Sequence, residues 1–142
     1  MYDEWDEFAE FVEREKITGA VKIQRIDVGV TKLASEVKNI RNQNIILVGG
    51  PCANTATASL LGNPKECTMG FEPGVGRIEF YETSGNVAMI VAGYTKEDTR
   101  NAAQVVANYA HFRDDLKGRA AEVKQINNVL VVSKSTLKAG LV

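Results

Sequence analysis

The sequence has few of the residues that most often carry chemistry or cross a membrane. Its 142 residues include two cysteines, one histidine and one tryptophan. Two cysteines and one distant histidine are too few ligands for a structural zinc site. The longest apolar run, residues 87–92, falls far short of the roughly 20 residues that span a bilayer. We therefore expect no metal site and no membrane span. Because basic residues do not cluster among aromatic ones, we also expect no nucleic-acid interface.

The sequence also lacks complete catalytic and cofactor motifs. Residues 49–55 resemble a phosphate-binding loop, but the Lys-Ser/Thr pair after the last glycine is missing, and Pro51 removes one amide donor. No serine lies in a nucleophile elbow, and no spacing pairs a carboxylate acid with a carboxylate base. His111 follows the second predicted helix, and nothing in the spacing relates it to Cys52. We therefore predict no enzyme and no cofactor.

What is present is the composition of an ordinary folded domain, with 44% hydrophobic and 25% charged residues. We predict one α/β domain over residues 1–142. The charge is uneven, because residues 1–16 carry seven acids against two bases. Trp5, Phe8, Phe11 and Val12 recur at helical spacing in the same segment. This pattern predicts an acidic amphipathic helix over residues 3–15, able to dock on a basic surface.

Hydrophobic periodicity and turn residues predict the remaining elements. A strand with alternating side chains covers 20–30, and 32–43 forms a short helix or a loop. A strand buried on both faces ends at Gly49 and Gly50, and a helix follows over 53–61. The other elements are a hairpin (77–82 and 87–92), a helix from Thr95 to about Tyr109, and a closing hairpin through Asn127 and Asn128. The predicted fold is α/β, a mixed β-sheet with helices packed on it, built from two strand–glycine–helix units plus hairpins.

The two strand–glycine–helix units resemble each other. If their strands lie in parallel and side by side, two helix N-termini share one rim of the sheet, where open α/β sheets bind anions. The residues of interest serve either as structural turns and caps or as a ligand-binding turn: Gly49, Gly50, Asn54, Thr55, Gly93, Thr95, Asp98 and Arg100. The ligand interpretation predicts an intracellular α/β domain that binds a small anion or a nucleotide.

Capping chemistry supports the structural interpretation of these turns. Asn54 or Thr55 can cap the first helix, and Thr95 can accept from the first-turn amides of the second. Asp98 favours the positive end of the helix dipole, and Arg100 could pair with Glu97 or reach the first turn.

The two cysteines leave two possibilities open. Cys52 lies near a predicted helix start, where the dipole can lower a thiol pKa. A Cys52–Cys67 disulfide would instead close a loop of about 15 residues and constrain the unfolded chain by roughly 3 kcal/mol.

An ordered series of motifs resembles archaeal surface-layer (S-layer) proteins. Residues 44–55 read NIILVGGPCANT and match a similar LVGGP-small-Asn turn. Cys67 and the stretch FEPGVGRI at 71–78 follow. Residues 91–103 read VAGYTKEDTRNAA and match a similar VAGY-x-x-x-D-T-R-x-A junction between strand and helix. The family-like core therefore covers residues 44–110.

The resemblance implies a non-enzymatic structural or interaction domain of an archaeal cell envelope protein. S-layer proteins assemble with other protein chains into a two-dimensional lattice outside the cell. We expect an extracellular or cell-surface location if this chain is part of such a protein or is processed like one, although no signal peptide is visible in it. An extracellular setting favours the Cys52–Cys67 disulfide.

Overall fold

The computed structural model describes residues 30–135. The helix predicted over 3–15, and the strand predicted over 20–30 apart from Val30, lie outside the described residues. The described strands are β1 (Ile45–Val48), β2 (Gly76–Thr83), β3 (Asn86–Gly93), β4 (Ala120–Ile126) and β5 (Val129–Lys134). The α-helices are α1 (Thr55–Leu60), α2 (Lys96–Ala107) and α3 (Tyr109–Phe112), and a short 3-10 helix covers Ala34–Glu36.

The five strands form one mixed sheet in the order β1-β3-β2-β4-β5. β1 runs parallel to β3, and all the other neighbours are antiparallel. Ser84 and Gly85 make the tight turn between β2 and β3. Asn127 and Asn128 both have positive φ, at 50° and 62°, as a two-residue hairpin loop requires. The predicted α/β fold with a mixed sheet is confirmed.

Helices cover both faces of the sheet. On one face, Ala102 and Val105 of α2 pack on a fully buried cluster that includes Ile78, Val91 and Val123. On the other face, Ala56 of α1 and the following loop pack against strands β1 and β3, with this buried cluster: Leu47, Ala56, Leu61, Phe71, Ile90 and Ala92. Alternating side chains of the interior strand β3 therefore serve both cores.

Two glycines let α2 approach the sheet closely. Gly76 and Gly93 lie opposite each other on neighbouring strands. A Cβ on Gly93 would collide with the backbone and Cβ of Asp98, and a Cβ on Gly76 would collide with the Asp98 carbonyl oxygen. The first turn of α2 thus rests on bare backbone, which fixes the position of its N-terminus.

The prediction that β1 is buried on both faces is wrong. Ile46 and Val48 are 53% and 55% exposed, whereas Leu47 between them is buried. Within residues 30–135, β1 is an edge strand that packs against α1 on one face and leaves Ile46 and Val48 exposed on the other.

Helix bounds also differ from the prediction. α1 begins at Thr55 rather than at 53, since residues 51–53 form a turn. α2 ends at Ala107, and the backbone leaves the helical conformation at Asn108, so Tyr109 belongs to the separate short helix α3. The segment predicted as a short helix or a loop contains both, with one turn of 3-10 helix. In the part of the chain described, no helix combines the length and hydropathy needed to cross a bilayer.

Candidate functional site

The strand-to-helix connection after β1, residues 49–57, is called the first corner. Gly49 has φ +104°, a value that side chains rarely allow. Asn54 caps α1: its Oδ1 accepts from the amides of Ala56 (2.9 Å) and Thr57 (3.3 Å), and its Nδ2 donates to the Val48 carbonyl at 3.0 Å. The fully buried Thr57 hydroxyl donates to the Gly49 carbonyl at 2.8 Å. Strand end, turn and helix start are thereby bonded to one another.

The connection after β3, residues 93–99, is called the second corner. Thr95 and Asp98 form a capping box, in which the Thr95 hydroxyl accepts from the Asp98 amide at 3.2 Å. The buried Asp98 Oδ2 accepts from the Thr95 amide (2.9 Å) and the Thr95 hydroxyl (2.8 Å). It also accepts from the Gly74 amide at 3.2 Å, across 24 residues of chain. One carboxylate oxygen therefore gathers donors from the corner and from the preceding loop.

The two corners are neighbours. β1 and β3 pair in parallel, and the Gly49 amide donates to the Val91 carbonyl at 2.9 Å. A Cβ on Gly50 would lie 3.6 Å from the Gly93 carbonyl oxygen. The predicted side-by-side arrangement of two strand–glycine–helix units is present in the structure.

One loop, residues 61–75, is fastened to both corners. A disulfide joins Cys67 to Cys52 of the first corner, with 4.9 Å between their Cα atoms. The Gly74–Asp98 hydrogen bond ties the same loop to the second corner, and Phe71 between these attachments is buried. The bridged pairing removes the possibility of a reactive Cys52 thiol in this structure.

A cleft of about 120 Å³ separates the corners, with the disulfide, Phe71 and Lys96 in its wall. This volume is well below the roughly 300–1,000 Å³ of common ligand pockets. At the helix starts beside it, Asn54 already accepts from two α1 amides, and Asp98 places a carboxylate at the α2 N-terminus. The arrangement favours a rigid junction over a phosphate cradle.

Arg100 does not reach the first corner. Its guanidinium lies 3.5 Å from the Glu97 carboxylate, and both side chains are more than half exposed. A solvent-exposed ion pair of this kind contributes little to stability.

The structure brings together charged side chains that spacing did not connect. Arg77 and Glu122 lie opposite each other on β2 and β4, with 3.4 Å between guanidinium and carboxylate, and Arg77 lies 3.6 Å from Glu79. Arg77 and Glu79 are buried, and Ser135 donates to Glu122 at 3.1 Å. Burial and the adjoining Glu79 carboxylate raise the pKa of Tyr81 above its ordinary value.

The spacing of these carboxylates in the sequence does not pair them with one another. The signal was the alternation of residues 77–82, which puts Arg77, Glu79 and Tyr81 on one face of β2. Alternation predicts a solvated face, whereas here the polar face is covered. Ion pairing explains the burial, since a buried charge without a partner is very costly.

A larger groove of about 630 Å³ lies beside β1, lined by that strand, by part of residues 30–37, by residues 43 and 44, and by Asn54 and Ala56 of the first corner. Lys32 is the one charged residue in its described lining. Within residues 30–135, no group of three or more potential metal ligands comes together.

Comparison with known proteins identifies the relatives of this arrangement. The family model described as "S-layer like family, outer domain" matches residues 4–110, three quarters of the chain. The chain belongs to the S-layer-like family. The match starts well before the motif series at Asn44 and ends just after α2, so it includes both corners and the loop that joins them.

An individual S-layer relative is also similar. An S-layer protein of the archaeon Methanothermococcus thermolithotrophicus is 32% identical over 83 residues, which is 58% of this chain and 15% of that protein. The chain thus corresponds to a small part of this much longer relative. No solved structure matches the chain. The predicted archaeal S-layer resemblance is confirmed, and the narrower VGGP/VAGY-DTR subtype stays a prediction.

Proposed function

We propose that this chain is a non-enzymatic structural domain of a cell-surface layer, one that contacts other protein chains in a two-dimensional array. The observation that carries the proposal is the family match over residues 4–110, whose model describes an outer domain. The geometry of the two corners supports it. Their polar groups bond to one another and to the connecting loop, as suits a module that holds its shape under load.

The disulfide supports an extracellular setting for the domain. Disulfides persist mainly in oxidising environments outside the cytosol. A bridge that fastens loop 61–75 to the first corner would be least useful inside a reducing cell.

Location and redox state test the proposal in the organism that produces the chain. An antibody against the domain should label intact cells, and the protein should fractionate with envelope sheets that show a regular array by electron microscopy. Thiol-reactive labelling of the untreated protein should modify neither Cys52 nor Cys67. Antibody labelling only after cell lysis, together with thiol labelling of both cysteines, would overturn the proposal.

The alternative, an intracellular domain that binds an anion or nucleotide, depends on the cleft between the corners. Titration of the purified chain with inorganic phosphate and with ATP should give no binding heat. Lys96→Ala provides the control, because Lys96 is the charged side chain at this cleft. Binding that this variant weakens would favour the alternative.

The predicted docking of the acidic segment 1–16 on a basic surface also stays a prediction. This segment has seven acids and two bases, a net charge of −5. The rest of the chain has eleven acids and fifteen bases, a net charge of +4. Such an attraction would weaken with added salt.

A further inference from the structure

The β4–β5 hairpin carries an exposed apolar patch. Ile126, Val129 and Val131 are 51%, 60% and 42% exposed. Ile126 lies directly opposite Val129, and Val131 lies two residues further along the same face. The opposite face of the hairpin packs into the α2 core through Val123 and Val132. The patch is therefore not the side that the domain needs for its own core.

The same hairpin has an open edge within residues 30–135. β5 pairs with β4 on one side, and no described strand lies on its other side. The six β5 residues are VLVVSK, without proline, and they pair with β4 in unbroken register, without a bulge. Edge strands usually carry charges, prolines or bulges that prevent pairing with another chain. β5 has one charge, on Lys134 at its end.

We propose that β5 is an assembly contact at which a second copy of this chain adds antiparallel to β5 and continues the sheet across a two-fold axis. This inference rests on the proposed function in a surface array. It adds the surface that one copy presents to the next.

The sequence of β5 fits pairing with itself. Side chains alternate between faces, so antiparallel partners must come from the same face. With Val131 opposite Val131 of the second copy, Leu130 lies opposite Val132, and Lys134 lies opposite the uncharged Asn128. Apolar cross-strand pairs stabilise such a contact, and no like charges face each other. With Val132 on the axis instead, Leu130 would face Lys134, which is the poorer match.

The hydrogen-bonding pattern agrees with this register. The antiparallel ladder with β4 starts at the Ile126–Val129 pair beside the two-residue turn. By the alternation of such ladders, the backbone groups of Leu130 and Val132 point to the open edge. In the Val131-centred register these two residues face each other across the axis and can exchange hydrogen bonds.

The size of the contact suits an array rather than an isolated dimer. A strand of six residues is about 20 Å long, and one edge-to-edge pairing buries much less than the roughly 800 Å² per partner of a standard interface. A single contact should therefore be weak, and repetition among linked copies would strengthen it.

Cross-linking tests both the contact and its register. In Val131→Cys the added thiol is the only free one in the chain, because the two native cysteines are bonded to each other. Facing residues in a non-hydrogen-bonded antiparallel pair have Cα atoms about 4.5 Å apart, within disulfide range. Mild oxidation of the concentrated chain should yield a disulfide-linked dimer.

Val129→Cys is the matched control, since it lies on the same strand and face and is more exposed. In the proposed register two copies of residue 129 are four residues apart along the strand, about 13 Å, too far for a disulfide. Val131→Cys should therefore cross-link at least about tenfold faster. A mixture of Val129→Cys and Ser133→Cys chains should form the mixed dimer, because these positions face each other.

Equal cross-linking of Val129→Cys and Val131→Cys would show random collision and overturn the proposal. Absence of a Val131→Cys dimer at high concentration, with an unchanged circular dichroism spectrum, would overturn it as well and point to another segment or domain on this edge. A specific cross-link in a protein that proves intracellular would refute the proposed function and leave the β5 contact. A surface-located protein without the cross-link would support the proposed function and refute the β5 contact.

Discussion

The two corners have the same geometry but are held by different chemistry. At the first corner a neutral amide, Asn54, bonds groups within six residues of itself, and the tie to loop 61–75 is covalent, through Cys52. At the second corner a buried carboxylate, Asp98, both caps α2 and holds the same loop through Gly74. A carboxylate oxygen accepts several donors at once, so it can combine a local and a long-range role. The three bonds of the Asn54 side chain are all local, and the disulfide makes the tie to the loop at this corner.

The largest expected effect concerns the glycines at the corners. Gly93→Ala should lower the free energy of unfolding by about 3 kcal/mol or more, because the new Cβ collides with the backbone of α2. Gly50→Ala is the control at the other corner, where the nearest atom would be 3.6 Å away, and should cost less than about 1 kcal/mol. Urea denaturation measures both. Equal costs would mean that close helix packing does not distinguish the corners.

Loss of the covalent tie at the first corner should come next. Cys52→Ser combined with Cys67→Ser should cost about 3 kcal/mol, from the loop that the 15-residue separation closes in the unfolded chain. A reducing agent should lower the unfolding midpoint of the native chain by a similar amount and leave the double variant unchanged. A native chain insensitive to reduction would argue that the bridge is not formed.

Removal of the carboxylate at the second corner should cost slightly less. Asp98→Ala should lower the free energy of unfolding by about 2–3 kcal/mol, since it removes the capping box and leaves the Gly74 amide without its acceptor. Asp98→Asn keeps one acceptor oxygen, so its free energy of unfolding should lie between those of the native chain and Asp98→Ala. Hydrogen exchange at the Gly74 amide should accelerate in both variants. Slow exchange there in Asp98→Ala would show that another group holds the loop.

The smallest measurable effect should be at Asn54. Asn54→Ala should cost about 1 kcal/mol, the usual value of an N-cap. Asn54→Asp keeps the cap acceptor and loses the donor to Val48, so it separates the two roles. Arg100→Ala serves as the neighbouring control, because its exposed ion pair should contribute less than about 0.5 kcal/mol. A larger loss at Arg100 would reveal a contact beyond Glu97.

Several features of the fold and site follow from local sequence. The β2–β3 and β4–β5 hairpins were predicted from short turns between apolar runs, because such turns leave little choice of partner. The same holds for the helix start after Thr95 and for Asn54 as one of the two candidate caps of α1, because each capping side chain lies within three residues of its amides. The motif series located the family from Asn44 onward, and the family match extends to residue 4.

Other features of the fold and site could not be predicted from local sequence patterns. The break at Asn108 interrupts an otherwise regular helical pattern, and nothing nearby marks the end as a glycine or proline would. The cluster of buried Arg77 and Glu79 with the half-buried Glu122 needs β2 and β4 side by side, across 45 residues of chain between Arg77 and Glu122. Gly93 was predicted to serve a turn, and its closer constraint is the helix packed directly on it.

The sequence by itself determined which segments form strands and helices, which strands form hairpins, and to which family the chain belongs, since each depends on residues close together or on a linear series of motifs. Tertiary structure decided that β1 exposes Ile46 and Val48, that a charged face is buried, and that α2 rests on Gly76 and Gly93. Burial and close approach depend on what the distant chain places against a strand. Side-chain periodicity records which residues share a face, and the packed fold alone determines what covers that face.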